Sequence, residues 1–159
     1  MAHGSEGRQV IGALDLARLS CGGFFLVGLL TGLWKYRHIA ASPGAAAPAS
    51  VDICHRASLM YAFACLVLAE FARLSRWPDP INTLAVAGPV LFFGLAVLGY
   101  VVHGLLEDTD NQLAPPHRLG RGHLHPAAVS GFIYLLATFE IGGFAVLFAG
   151  YLRGRGALA

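Results

Sequence analysis

The sequence predicts an all-α integral membrane protein in which residues 1–159 form a single domain, a four-helix bundle. Hydrophobic residues make up 56% of the chain and charged residues 13%, with a mean hydropathy of +0.62. Soluble domains are roughly one quarter charged, so this composition indicates a bilayer environment. A transmembrane helix needs about 20 apolar residues, and four stretches meet that length.

The four predicted spans are separated by residues that break helices. Pro48 follows the first span, Pro78 and Pro80 follow the second, and Pro115-Pro116 follows the third. A cleaved signal peptide is the alternative for the first span, but no convincing small-residue cleavage site follows its apolar core. We therefore expect four spans, over residues 14–34, 53–74, 81–106 and 126–152.

Four spans place both termini and loop two on one side of the membrane. Lys and Arg number six on that side and five on the other, which predicts cytoplasmic termini. The bacterial inner membrane is the expected location. The net charge of +2 indicates no nucleic-acid partner. The three cysteines form no CxxC pair, so neither a disulfide framework nor a zinc knuckle is expected.

Six of the seven histidines fall in or beside segments that should gather at one face of the bundle. His55 opens the second span while Tyr100 and His103 close the third, so antiparallel packing brings them to one depth. Tyr100 and His103 also share a helix face. An ionisable residue inside a span is costly and is a functional candidate by default. The pattern predicts a metal or haem site near one bilayer surface, with candidate residues His38, His55, His103, His117, His123 and His125.

Free metal and haem make different demands on such a site. A metal ion needs three or four converging ligands. The nearest match in the sequence is the set of His117, His123 and His125 with the acidic run 107–110. No spacing matches a closed zinc motif, and wet interfacial histidines are the competing interpretation. Haem needs one or two axial ligands and an apolar slot. The single well-placed His55 fits haem better than it fits a free metal ion.

Between His55 and Tyr100 the chain resembles the styrene oxide isomerases, small four-span membrane proteins that form trimers with haem b near the subunit interfaces. In that family a histidine near the start of the second helix binds the iron. His55 matches it in His-Arg-Ala-Ser, where the family reads closer to His-Ser-Gly. The family has an asparagine six residues later, where this chain has Tyr61. Tyr100 matches a family tyrosine near the end of the third helix, and His103 has no counterpart.

The resemblance implies a homotrimer that holds haem b through His55 and isomerises hydrophobic or aryl epoxides to aldehydes, with ferric haem as the Lewis acid. It implies that Tyr100 orients the substrate oxygen and that Tyr61 shapes the pocket or forms a hydrogen bond there. Two alternatives stay open. One is an electron-transfer cytochrome with His55 and His103 as its two axial ligands. The other is a cofactor-free accessory subunit of a membrane complex.

Glu140 lies past the middle of the fourth span, where a lipid-facing carboxylate would be expensive. We expect it to pair with Arg18, and a proton relay is the alternative. Gly28 and Gly32 form a GxxxG pattern that predicts close helix packing.

Two acidic features have structural interpretations. Asp52 precedes the second predicted span and is expected to cap its N-terminus. The acceptor-rich run 107–112, which includes the acidic run, is expected to fold loop three by binding Arg118 and Arg121, and weak cation binding or gating of the pocket are the alternatives.

Overall fold

The computed structural model describes residues 11–156 and contains the four predicted helices. Each is long and apolar enough to cross a membrane, which confirms the all-α four-helix fold. A short antiparallel hairpin of β1 (Arg118–Leu119) and β2 (Gly122–His123) lies between the last two helices. This hairpin is not predicted from the sequence, because strands of two residues are too short to show an alternating pattern of apolar and polar residues. The helices are α1 (Ala13–Ala41), α2 (Ala49–Leu74), α3 (Asp79–Leu106) and α4 (Pro126–Gly154).

Two helices extend beyond the predicted spans at the loop-one end. α1 continues to Ala41 and α2 starts at Ala49. The predicted spans follow the apolar residues, whereas the helical backbone continues beyond them into polar surroundings. Asp52 therefore lies inside the first turn of α2 and the N-cap is Pro48, so the predicted capping role is wrong. Asp52 instead receives Lys35 Nζ at 2.5 Å and an Arg56 nitrogen at 2.8 Å.

α1 makes its most extensive contact with α2, and α3 packs against both. α4 packs on α3 and to a lesser extent on α2. Alanine is the commonest residue of the core, and its small side chain lets the helix backbones approach closely. The buried core residues are Ala13, Ala17, Cys65, Leu68, Ala69, Ala72, Ala85, Val86, Phe93 and Leu147.

The contact of α3 with α4 depends on Pro89, which lies inside α3. Proline has no amide hydrogen, so the Ala85 carbonyl four residues earlier loses its helical donor. Gly143 packs directly on this position: a Cβ there would overlap the Ala85 oxygen and lie 2.6 Å from Pro89 Cγ. The close approach fixes the face of α4 that also carries Glu140, one turn earlier.

Candidate functional site

The His55 ring lies between α2 and α1, where its Nδ1 is 2.8 Å from the Gly28 carbonyl oxygen. A carbonyl oxygen only accepts, so Nδ1 carries the proton and donates it. Nε2 then holds a lone pair. Metal-binding histidines are commonly oriented in this way, with one ring nitrogen donating to a carbonyl and the other binding the metal.

Gly32 makes room for the His55 ring. A Cβ at Gly32 would lie 2.9 Å from His55 Cε1 and 3.0 Å from Nδ1, closer than side chains tolerate. A Cβ at Gly28 would lie 2.5 Å from Leu59 Cδ2. The predicted close packing at this GxxxG pattern is present, and what it accommodates is the imidazole and the leucine of α2.

His55 Nε2 has no hydrogen-bond partner among residues 11–156, and it is not one of the enclosed unpartnered polar atoms of those residues. The nitrogen with the lone pair is therefore not fully enclosed by the single chain. Lys35, Asp52 and Arg56 form an ion-paired group one turn from the ring, on the loop side.

Tyr100 and His55 lie at similar depth, as the antiparallel arrangement predicts. Cys54, the neighbour of His55, lies with its Sγ 4.0 Å from the Val97 carbonyl, one turn before Tyr100. Tyr100 is partly buried. A Cβ at Gly99, the residue before it, would lie 3.4 Å from Gln112 Oε1, so loop three returns over the end of α3.

Tyr61 lies away from His55. Six residues separate them, which corresponds to about 9 Å along the helix and about 120° around it. The Tyr61 ring stacks on Phe93, with centroids 4.2 Å apart, and contacts Phe24 edge-on at 6.0 Å. These contacts place Tyr61 in an aromatic cluster that joins α1, α2 and α3.

His103 is buried, with 6% of its surface exposed, and its Nδ1 lies 2.8 Å from Asp108 Oδ1. The other oxygen of Asp108 accepts from the Gly120 amide at 2.5 Å. Burial alone would raise the pKa of the Asp108 carboxyl, but the hydrogen bonds from His103 and Gly120 outweigh it, and the pKa lies below its usual range. The acidic run does hold loop three, although its partners are His103 and Gly120 and no ion pair to Arg118 or Arg121 forms among the described residues.

The three loop histidines occupy separate positions. His117 is buried, with a backbone φ of 51° and an enclosed Nδ1 that has no partner within residues 11–156. His123 lies exposed in β2 opposite Arg118. His125 is the N-cap of α4, where its Nδ1 accepts from the Ala127 amide at 3.2 Å. The described part of the chain contains no group of three or more His, Cys, Asp or Glu side chains placed to hold a metal ion.

Glu140 does not form the predicted pair with Arg18. Arg18 is exposed on α1, and no ion pair joins the two among the described residues. The Glu140 Oε1 atom is enclosed and has no partner there. Depth alone suggested the pairing, but α4 packs on α3 and α2.

The Gly28 carbonyl is the main feature of the site that the sequence does not reveal. Only the GxxxG pattern at the depth of His55 could have pointed to it. Comparisons with protein-family models, curated proteins and solved structures found no match.

Proposed function

We propose that this membrane protein binds haem b through His55 Nε2 and isomerises hydrophobic epoxides to aldehydes. The observation that carries the proposal is the 2.8 Å contact between His55 Nδ1 and the Gly28 carbonyl. It orients the ring and leaves Nε2 as the coordinating atom, so the donor chemistry at this position fits haem iron.

A single protein ligand is favoured over two. The Nδ1 of His103 also has an oxygen partner, Asp108, but His103 is buried where loop three packs on the end of α3, whereas the His55 ring packs against α1. The two imidazoles therefore contact different elements of the structure. This supports a site with one open face, which is a catalytic arrangement, over an electron-transfer cytochrome with both faces filled.

Haem b, when bound, supplies a ferric Lewis acid. Epoxide isomerisation is internally balanced, because a C–O bond breaks and a hydride migrates within the substrate, so no reductant is required. Tyr100, at the depth of His55, is the chain's hydroxyl for orienting the substrate oxygen. Apolar helix surfaces exclude the water that would convert a carbocation to a diol. The stacking of Tyr61 on Phe93 supports a packing role for Tyr61.

The proposal includes a homotrimer in a bacterial inner membrane, with cytoplasmic termini. The surface of α4 supports the oligomer, because most of this helix is exposed in the single chain and a Cβ at Gly131 or Gly142 would meet nothing within 4 Å. Light scattering of the detergent-purified protein measures the oligomer number, and a monomer would refute the trimer. Reporter fusions to both termini measure the orientation.

The first experiment is the visible spectrum of the purified protein, as isolated and after dithionite. We expect a high-spin ferric Soret band that shifts with an aryl epoxide. A low-spin spectrum with sharp reduced bands would indicate two axial ligands, and the absence of haem from protein made with adequate haem supply would indicate an accessory subunit.

The variant His55→Ala should lose haem, whereas His103→Ala should retain it. Gly32→Ala crowds the ring and should weaken haem binding, whereas its matched control, Gly22→Ala, places a methyl group in open space. Full haem occupancy in His55→Ala would refute the ligation.

A further inference from the structure

A groove of about 430 Å³ runs between α1 and α3 on the outer surface of the bundle, near the loop-one end. Its volume is within the range of ligand pockets. Leu30, Leu33, Val101 and Leu105 supply aliphatic walls, and Thr31 also lines it. The groove is separate from the position of His55, which packs on the α2-facing side of α1.

The polar group of Thr31 does not make the groove polar. Its hydroxyl donates within α1 to the Val27 carbonyl, at 2.8 Å, and also lies 3.1 Å from the Gly28 carbonyl. The hydroxyl therefore has no free proton to donate to a ligand, and the groove surface stays apolar. A long hydrocarbon chain is the natural occupant of such a groove in a bilayer.

Trp34 forms a rigid wall of the groove. A Cβ at Gly104 would lie 2.6 Å from Trp34 Cη2, so the absence of a side chain at Gly104 lets the indole pack against α3. The ring centroid of Trp34 is also 5.9 Å from that of His38. This indole at the end of the groove marks the level of the membrane interface.

Arg37 lines the same end of the groove and is its one charged residue. Lys35 and Arg56, two other cations at this end, share Asp52. Arg37 forms no ion pair with any carboxylate of residues 11–156. The groove thus combines an apolar trough with one uncompensated cation at its interfacial end.

We infer that this groove binds an anionic phospholipid, with one acyl chain between α1 and α3 and the headgroup phosphate on Arg37. Charge complementarity favours an acidic headgroup, since Arg37 forms no ion pair among residues 11–156, and Glu107, the acid at this end, instead lies 3.9 Å from His38 Nδ1. A phosphodiester keeps its negative charge at all physiological pH values, and an interfacial Arg attracts anionic lipids. The inference is independent of the haem proposal.

The test uses the full chain in phosphatidylcholine vesicles and follows tryptophan fluorescence. The Trp77→Phe variant leaves Trp34 as the reporter in the groove. Quenching is titrated with phosphatidylglycerol brominated on its acyl chains and, separately, with brominated phosphatidylcholine. We expect about five-fold stronger association of the anionic lipid near Trp34, as one interfacial charge provides.

The Arg37→Gln variant should abolish this preference. Arg118→Gln removes an exposed cation from the same side of the protein and should leave the preference unchanged. Val101→Phe fills the groove and should reduce quenching by the anionic lipid although every charge is retained.

Equal quenching by the two lipids would overturn the inference. An equal loss of the preference for the anionic lipid in Arg37→Gln and Arg118→Gln would also overturn it, because the attraction would then come from the overall charge of this side of the protein. Unchanged quenching in Val101→Phe would show that the acyl chain does not bind in the groove. Trp77 donates to the Val146 carbonyl at 2.9 Å, and its replacement by Phe removes this hydrogen bond to α4. The Arg37→Gln comparison is therefore repeated with Trp77 present, where that indole contributes equally to both proteins.

Discussion

At the loop-one and loop-three end of the bundle, polar side chains form the hydrogen bonds between elements, whereas at the opposite end the α2–α3 turn packs closely on α4 and donates to its backbone carbonyls. The first end contains the His55 contact with Gly28 and the His103–Asp108 pair. At the second end, the Arg76 amide donates to the Gly150 carbonyl at 3.1 Å and the Trp77 indole donates to the Val146 carbonyl.

The comparison indicates where ligands can bind. Polar side chains at the loop end leave some of their own atoms free, notably His55 Nε2 and the Arg37 guanidinium. At the opposite end the two donors that reach α4 are a backbone amide and an indole, and carbonyls of α4 satisfy both, although the enclosed Asn82 Oδ1 of α3 has no partner within residues 11–156. Candidate chemistry therefore belongs to the loop end, and the opposite end serves mainly to fix α4.

The largest expected effect comes from the packed end. In Gly150→Leu the new side chain would overlap Ser75 Oγ and crowd the Trp77 indole, whose Cδ1 would lie 2.5 Å from the new Cβ. We expect a loss of about 3 kcal/mol of unfolding free energy, as for overpacked cores. Thermal or denaturant unfolding in detergent measures it.

The control is Gly23→Leu, at an exposed position of α1. A Cβ at Gly23 meets nothing within 4 Å, so this variant should stay within about 0.5 kcal/mol of the wild type. Equal stability of the two variants would show that the turn does not depend on shape at Gly150.

The next effect belongs to the loop end. Asp108 accepts from both His103 and the Gly120 amide, and asparagine has only one side-chain oxygen with which to accept. Asp108→Asn should therefore destabilise loop three by about 1–2 kcal/mol. Limited trypsin digestion at Arg118 and Arg121 should accelerate. Asp110→Asn, at an exposed position, is the control, and equal cleavage of both variants would contradict the prediction.

The same carboxylate predicts a pH dependence. The pKa of Asp108 in the folded protein lies below its usual value, so its stabilising contribution is complete above about pH 3.9, the ordinary Asp pKa. It is lost as the pH falls further, through the folded value. Hydrogen exchange of loop-three amides, corrected for intrinsic rates, should show increasing exposure in that acidic range. Asp108→Asn should lack this dependence.

The same contrast between the two ends shows what the sequence could predict. Hydropathy identified all four helices, and antiparallel order placed His55 and Tyr100 at one depth. Rotation about the helix axes was harder to predict. The contact of His55 with Gly28 depends on how α1 faces α2, and the failed pairing of Glu140 with Arg18 depends on which helices α4 contacts. Depth along a helix follows from counting residues, whereas the facing of two helices depends on packing across the whole bundle.

The smallest expected effect tests whether every polar contact at the loop end matters equally. Arg56 binds Asp52 from a side chain that is 64% exposed, and Lys35 binds the same carboxylate. Exposed ion pairs contribute little because water screens them, so Arg56→Gln should change the unfolding free energy by less than about 0.5 kcal/mol. Denaturant unfolding beside Asp108→Asn measures the difference. A loss as large as that of Asp108→Asn would mean that the Lys35–Asp52–Arg56 group holds α1 to α2 at the level of His55, and the orientation of the imidazole would then depend on those charges as well as on the Gly28 carbonyl.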